Sequence, residues 1–434
     1  MTAPGGTGRR HLERNALFLM AGTVTTAAVG MVFWVAAARF YPTVEVGRAS
    51  AVISTAGFLA SLSHLNLGNV YARFLPAAGG RTRQLVSRGL LLTAVIGLLV
   101  GAGFVLLWPD DVLFASTAER AFFPLAVAVL TLFTVQDLVL LGLRSASWIP
   151  IENLAFAVAK LLLLIALAAV VPEGGLVIAW VVPAALAVVV VQVLVHRRLL
   201  PRRMAEAEGT DRLPSARGLV NYASAEFATG VMAQVIPMVL PLIILNELGA
   251  EANAYFAIPW VINSALNMLT WNIATSFVVE ASTDEAQTQA LTRRSLRLGL
   301  LLGGGGALVL LIAAPLVLYV FGGDYAAEGV TLLRLMALAE PFVLVTTVYS
   351  GVLRVRRQAG RVVVVQGFIA VSTVSLTVLL IPTMGVSGAG LAYLIAEGTA
   401  GLALLVPLVR SLRHRTSSRT SPSAAVPAAR GADR

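Results

Sequence analysis

HRRLLPRRMAEAEGTDRLPSAR, His196–Arg217, divides the chain. The stretch is polar, holds six arginines and is interrupted by Pro201 and Pro214. Outward from it on both sides run apolar blocks of about 20 residues, the length that crosses a bilayer as a helix. On the N-terminal side they lie near Asn15–Ala37, Gly47–Asn69, Leu85–Leu107, Ala121–Leu143, Asn153–Val171 and Leu176–Val195. On the C-terminal side they lie near Leu219–Leu245, Ala254–Val279, Leu298–Phe321, Leu332–Leu353, Val362–Ile381 and Val386–Val409. The reading predicts an all-α integral membrane protein of about twelve transmembrane helices in two six-helix lobes. Its divisions are a cytoplasmic segment over 1–14, an N-lobe over 15–195, a basic linker over 196–218, a C-lobe over 219–410 and a disordered Ser/Pro/Ala/Arg-rich tail over 411–434.

Composition excludes the alternatives. Of 434 residues, 58% are hydrophobic and 12% charged, against about 25% charged in soluble domains. Mean hydropathy is +0.84. A soluble enzyme, a coiled coil or a disordered scaffold cannot be built from so few polar residues. The absence of cysteine and the four scattered histidines leave no thiolate zinc site and no catalytic thiol. The single lysine, Lys160, stands in AFAVAKLLLL, which lacks the glycines of a phosphate loop, so no ATPase and no resident cofactor are expected.

The net charge of +10 comes from arginine at one set of helix ends. With a cytoplasmic N-terminus, the inner segments collect Arg9, Arg10 and Arg14, Arg73 to Arg88, Arg197 to Arg217, Arg293 to Arg297, Arg354 to Arg361 and Arg410 to Arg419. The outer ones keep Arg39, Arg48, Arg120 and Arg334. This asymmetry predicts an even number of spans with both termini in the cytoplasm, and it explains the charge without nucleic acid. The connector Val44-Glu-Val-Gly-Arg-Ala-Ser resembles Ala250-Glu-Ala-Asn-Ala-Tyr-Phe at the same place in the other half. That likeness suggests a parallel repeat about a pseudo-two-fold axis along the membrane normal.

Three strings carry a family resemblance. Pro382-Thr-Met-Gly-Val-Ser-Gly-Ala-Gly-Leu-Ala-Tyr-Leu-Ile-Ala, Leu245-Asn-Glu-Leu-Gly-Ala-Glu-Ala-Asn-Ala-Tyr-Phe-Ala and Phe321-Gly-Gly-Asp-Tyr resemble the polysaccharide and O-antigen flippases of the MOP superfamily, relatives of lipid II flippases and MATE exporters. The resemblance implies a two-lobed, alternating-access flippase that moves a polyprenyl-pyrophosphate oligosaccharide from the inner to the outer leaflet for cell-surface polysaccharide synthesis. A polysaccharide polymerase or glycosyltransferases would then be its partners, besides the bilayer itself. A MATE-like multidrug or cation antiporter is the alternative. A membrane glycosyltransferase fits poorly, because the outer loops are short.

Such a substrate needs positive charge for phosphates and a polar, aromatic path for sugars. Charged residues inside spans cost about 2.5–3.5 kcal/mol each on insertion scales, so few are expected without a role. Lys160, about one-third into its span with Glu152 eight residues earlier on the same face, is a phosphate-contact candidate; snorkelling or pairing with a carboxylate is the alternative. Arg73, at the basic inner mouth, and Arg144 are further phosphate candidates, and pairing of Arg144 with Asp137 is the plainer alternative. Trp260, Asn263, Asn267 and Trp271 recur at spacings of three, four and four, which puts two indoles and two amides on one helix face, either for sugars or for helix packing. Glu226, Asp137 and Glu397 could bind a coupling ion from a proton or Na+ gradient, or gate the path through an ion pair. Glu340 with Arg334 reads as structural. Pro237 and Pro241, one turn apart, read as a hinge or a plain kink. Gly303–Gly306 reads as a close-packing surface.

Overall fold

The computed structural model describes residues 25–65, 67–75, 78–108, 112–206, 216–283, 288–356 and 358–413, and every described element is helical. The first half holds α1 (Thr25–Phe40), α2 (Thr43–Ser63), the short α3 (Leu67–Phe74), α4 (Thr82–Leu107), α5 (Thr117–Gly142), α6 (Trp148–Leu167) and α7 (Gly175–Ala205). The second half begins with the helical stretch Ala216–Thr283, which breaks at Gly249 into α8 (216–248) and α9 (250–283). It continues with α10 (Thr288–Tyr319), α11 (Gly323–Val355), α12 (Ala359–Met384) and α13 (Val386–Arg413).

Nine described stretches are long and apolar enough to cross a membrane, with Val235–Val278 counted as one; α1 is apolar but shorter. Their outward faces carry the evidence for a bilayer. Leu91 and Leu99 on α4 and Leu301 and Ile312 on α10 are all more than 65% exposed. In water such belts would be large uncovered apolar patches, whereas lipid matches them and the helices satisfy their own backbone. The chain is a multi-pass membrane protein with an all-α fold.

Two helices depart from regular geometry where the sequence carries a cause. In α7 a π turn over Val195–Leu199 immediately precedes Pro201. The proline supplies no N–H to the turn before it, and widening that turn accommodates the loss. The helix therefore continues past Pro201, so the first part of the expected linker is helical; residues 207–215 lie outside the described residues. Within 216–283 only Gly249 leaves helical dihedrals, with φ 88° and ψ 175°. Pro237 and Pro241 stay within regular helix, so the break sits eight residues beyond Pro241. Glycine alone adopts the Gly249 conformation readily, and a Cβ there would meet nothing within 4 Å, so the constraint is backbone and not space. We expect Gly249→Ala to destabilise the fold by about 1–3 kcal/mol, read as a lowered midpoint in detergent unfolding. An unchanged midpoint would show that the break relaxes without cost.

Close packing runs through glycines of α10. A Cβ on Gly303 would lie 3.0 Å from Thr270 Oγ1 of α9, and one on Gly306 would press on Leu266. Gly303 and Gly306 thus let α10 approach α9 closely, whereas a Cβ on Gly304 would meet only Leu300 of its own helix and one on Gly305 nothing within 4 Å.

Candidate functional site

Lys160 sits in the N-terminal half with its ammonium enclosed by aromatic rings. Nζ lies 3.6 Å from the centroid of Trp180 on α7, 4.9 Å from Phe33 on α1 and 5.0 Å from Phe156 on α6. The side chain is 6% exposed, and no described carboxylate pairs with it. Neither snorkelling nor a carboxylate pair therefore describes it. Its depth also differs from the sequence expectation: it lies twelve residues after Trp148 and seven before Leu167, two-thirds along α6. Apolar length alone starts α6 too late, because its beginning holds Pro150, tolerated where the backbone N–H has no helical partner, and Glu152, hydrogen-bonded to Gln136.

Glu152 does not face Lys160. It accepts a hydrogen bond from Gln136 Nε2 of α5, and Asp137 Oδ2 accepts one from Asn153 Nδ2 at 3.3 Å. Four polar groups thus tie α5 to α6 deep in the first half. Arg144 is not the partner of Asp137: it lies past the end of α5 with a left-handed φ of 58° and lines a cavity with Arg202 and Arg203.

The second polar cluster joins α9, α11 and α13. Asn267 Nδ2 donates to Tyr393 Oη at 3.2 Å, Thr270 Oγ1 donates to Glu340 Oε1, and Thr346 Oγ1 donates to Glu397 Oε2 at 3.0 Å. Trp260 packs edge-on to Tyr393 with centroids 6.0 Å apart, and Asn263 is buried beside them. The structure therefore brings Trp260, Asn263 and Asn267 together and adds Glu340 and Glu397. Trp271 does not join them: it is 46% exposed, with the Arg354 guanidinium 5.1 Å from its ring. Glu340 is not held by Arg334, whose Nε donates instead to the Leu311 carbonyl. The side chains of Arg73 and Glu226 lie outside the described residues. Sequence reasoning missed Tyr393, whose hydroxyl accepts from Asn267, and Thr270 and Thr346, whose hydroxyls donate to the two carboxylates. It also missed Phe33 and Trp180, because an aromatic cage assembled from three helices leaves no local pattern.

The two halves meet through their matching connectors. Asn253 Nδ2, at the start of α9, donates to the Gly47 carbonyl at 2.7 Å and to Ser50 Oγ at 3.1 Å on α2. A Cβ on Gly47 would overlap the Ala250 carbonyl. Alongside, Arg39 at the end of α1 donates to the carbonyls of Val320 and Tyr319 at 2.9 and 3.1 Å, at the end of α10. The contact lies at the helix ends opposite the arginine-rich ones, and it closes the halves together there.

No protein-family model and no curated protein matches the sequence. Solved structures do share the fold. An inward-facing multidrug resistance MATE family transporter of the MOP superfamily superposes with TM-score 0.67 at 12% identity, covering 89% of this chain and 94% of that one. Lipid II flippase MurJ in an inward closed conformation gives 0.66 at 13% identity, with 91% and 87% covered. An outward-facing MATE family transporter gives 0.62 at 13%, with 95% and 98% covered. The chain has the MATE and MurJ fold over nearly its whole length.

Proposed function

We propose that this chain is an alternating-access flippase, a transporter and not an enzyme, that carries a polyprenyl-pyrophosphate oligosaccharide from the inner to the outer leaflet of the plasma membrane. In this reading it crosses the bilayer twelve times in two lobes, with both termini in the cytoplasm. Lys160 carries the reading. A buried cation with no described carboxylate partner is suited to an anionic substrate and would repel a cationic drug. The aromatic rings around it can face the sugar or the isoprenoid, and Trp260, Asn263 and Asn267 offer a second surface for sugar hydroxyls in the other lobe.

The second reading, a cation or multidrug antiporter, draws on the carboxylates. Glu340 Oε2, Asn263 Oδ1 and Asn267 Oδ1 are buried oxygen acceptors without a hydrogen-bond donor among the described residues. With Glu397 beside them they suit a proton or a small hard cation. In the flippase reading the same cluster couples transport to a proton or Na+ gradient.

The test is the leaflet distribution of lipid-linked oligosaccharide in cells lacking the protein. Deletion should trap it in the cytoplasmic leaflet, wild type should release it, and Glu397→Gln should restore release only slowly. An unchanged distribution on deletion overturns flipping, and the same strains then go to drug-efflux assays.

A further inference from the structure

Two backbone irregularities converge at the arginine-rich end of the first half. After α5, Ser145 N donates back to the Leu140 carbonyl at 2.8 Å and Arg144 takes φ 58°. That position after a helix normally belongs to glycine, so an arginine there is held against a steric preference. In α7 the π turn over Val195–Leu199 resets the phase of the helix and carries Arg202 and Arg203 toward the same place. Between them lies a cavity of about 390 Å³. Its polar lining is the three guanidiniums of Arg144, Arg202 and Arg203, the hydroxyls of Ser145 and Ser147, and the indole of Trp148; two leucines complete it.

Each polar side chain among the described lining residues can donate, and no described carboxylate lines the cavity. Guanidiniums in planar forks with added hydroxyls are the complement of a phosphate group. Position narrows the source. The 31 residues of α7 span about 46 Å, well beyond a hydrocarbon core of about 30 Å, so Arg202 and Arg203 at its end stand at headgroup level. The exposed indole of Trp148 suits the same layer. Among the described residues, all that line the cavity belong to the first half.

The geometry points to a phosphate-binding site in this cavity, filled by the headgroup of an anionic phospholipid or by free phosphate or pyrophosphate, which moves Arg144 from the transport path to a lipid-surface site. The inference rests on the helices crossing a bilayer and not on the identity of the transported substrate.

Full-length protein in detergent is titrated by calorimetry with dihexanoyl phosphatidylglycerol, dihexanoyl phosphatidylcholine, inorganic phosphate and pyrophosphate. Arg144→Gly keeps the left-handed turn and removes only the guanidinium; a second variant combines Arg202→Gln with Arg203→Gln. Arg361→Gln, an exposed arginine of α12, is the control. Phosphatidylglycerol should bind saturably, about tenfold more weakly in both cavity variants and unchanged in the control. Displacement by phosphate or pyrophosphate at similar concentrations assigns the site to the free anion, and lack of displacement assigns it to the headgroup; both support phosphate recognition. Equal binding of phosphatidylcholine, or affinity indifferent to the arginines, overturns it. The titration involves no transport, so its outcome is independent of the leaflet experiment.

Discussion

Gly47→Leu is expected to prop the two halves apart at their connector ends and to reduce transport by about 5- to 150-fold. The argument is steric. Even one carbon on Gly47 would overlap the Ala250 carbonyl, and Ala254 N beyond it is also backbone, so no side chain can swing away. Overpacking of this kind costs about 1–3 kcal/mol, and a bias of that size on a two-state equilibrium gives the stated factor. The state lost is the one in which Asn253 bridges to Gly47 and Ser50 and Arg39 caps the α10 carbonyls. Asn253→Ala should move the balance the same way but less, since each net hydrogen bond contributes about 0.5–1.5 kcal/mol. Because the chain has no cysteine, Phe40→Cys and Tyr319→Cys, both exposed, give a unique label pair across the contact. The distance between the labels should lengthen in Gly47→Leu. Wild-type distance with wild-type transport would mean that the halves do not separate at this point.

The connectors also show what the sequence could reveal. The likeness of Val44 to Ser50 and Ala250 to Phe256 was legible, with Glu45 and Gly47 spaced as Glu251 and Asn253 are. Their meeting face to face was not legible, since nothing in either string says that one packs on the other. Apolar length located most of the spans well, because hydrocarbon thickness fixes it. Helix starts were less visible where polar residues are satisfied inside the protein, as at Glu152 of α6. The candidate site follows the same division. Spacing on one helix placed Trp260, Asn263 and Asn267 together, yet carried Trp271 with them, because periodicity knows the face but not where the neighbouring helix ends. Partners on other helices, such as Tyr393 for Asn267 and Trp180 for Lys160, are tertiary facts. Arg144 was paired with Asp137 on sequence distance, and the left-handed turn after α5 sends it elsewhere.

Lys160→Met should abolish most transport while making the protein more stable, and the two effects having opposite benefit is the test. An ammonium inside the membrane costs about 2.5–3.5 kcal/mol on insertion scales. The rings of Trp180, Phe33 and Phe156 return part of this, about 2 kcal/mol for a desolvated cation over an aromatic face. The balance leaves Lys160 unfavourable by about 1 kcal/mol, and a methionine of similar length would fill the same cage with a favourable sulfur–aromatic contact. A residue kept for packing would not be one whose apolar replacement improves the fold. If instead Lys160 receives a substrate phosphate, losing that charge-assisted bond removes about 1.5–3 kcal/mol of interaction, a loss of about 10- to 150-fold in transport. Thermal unfolding in detergent and leaflet exchange in reconstituted vesicles measure the two sides separately. A less stable variant with proportionally reduced transport would make Lys160 a structural cation, and a stable variant with full transport would remove it from the substrate path.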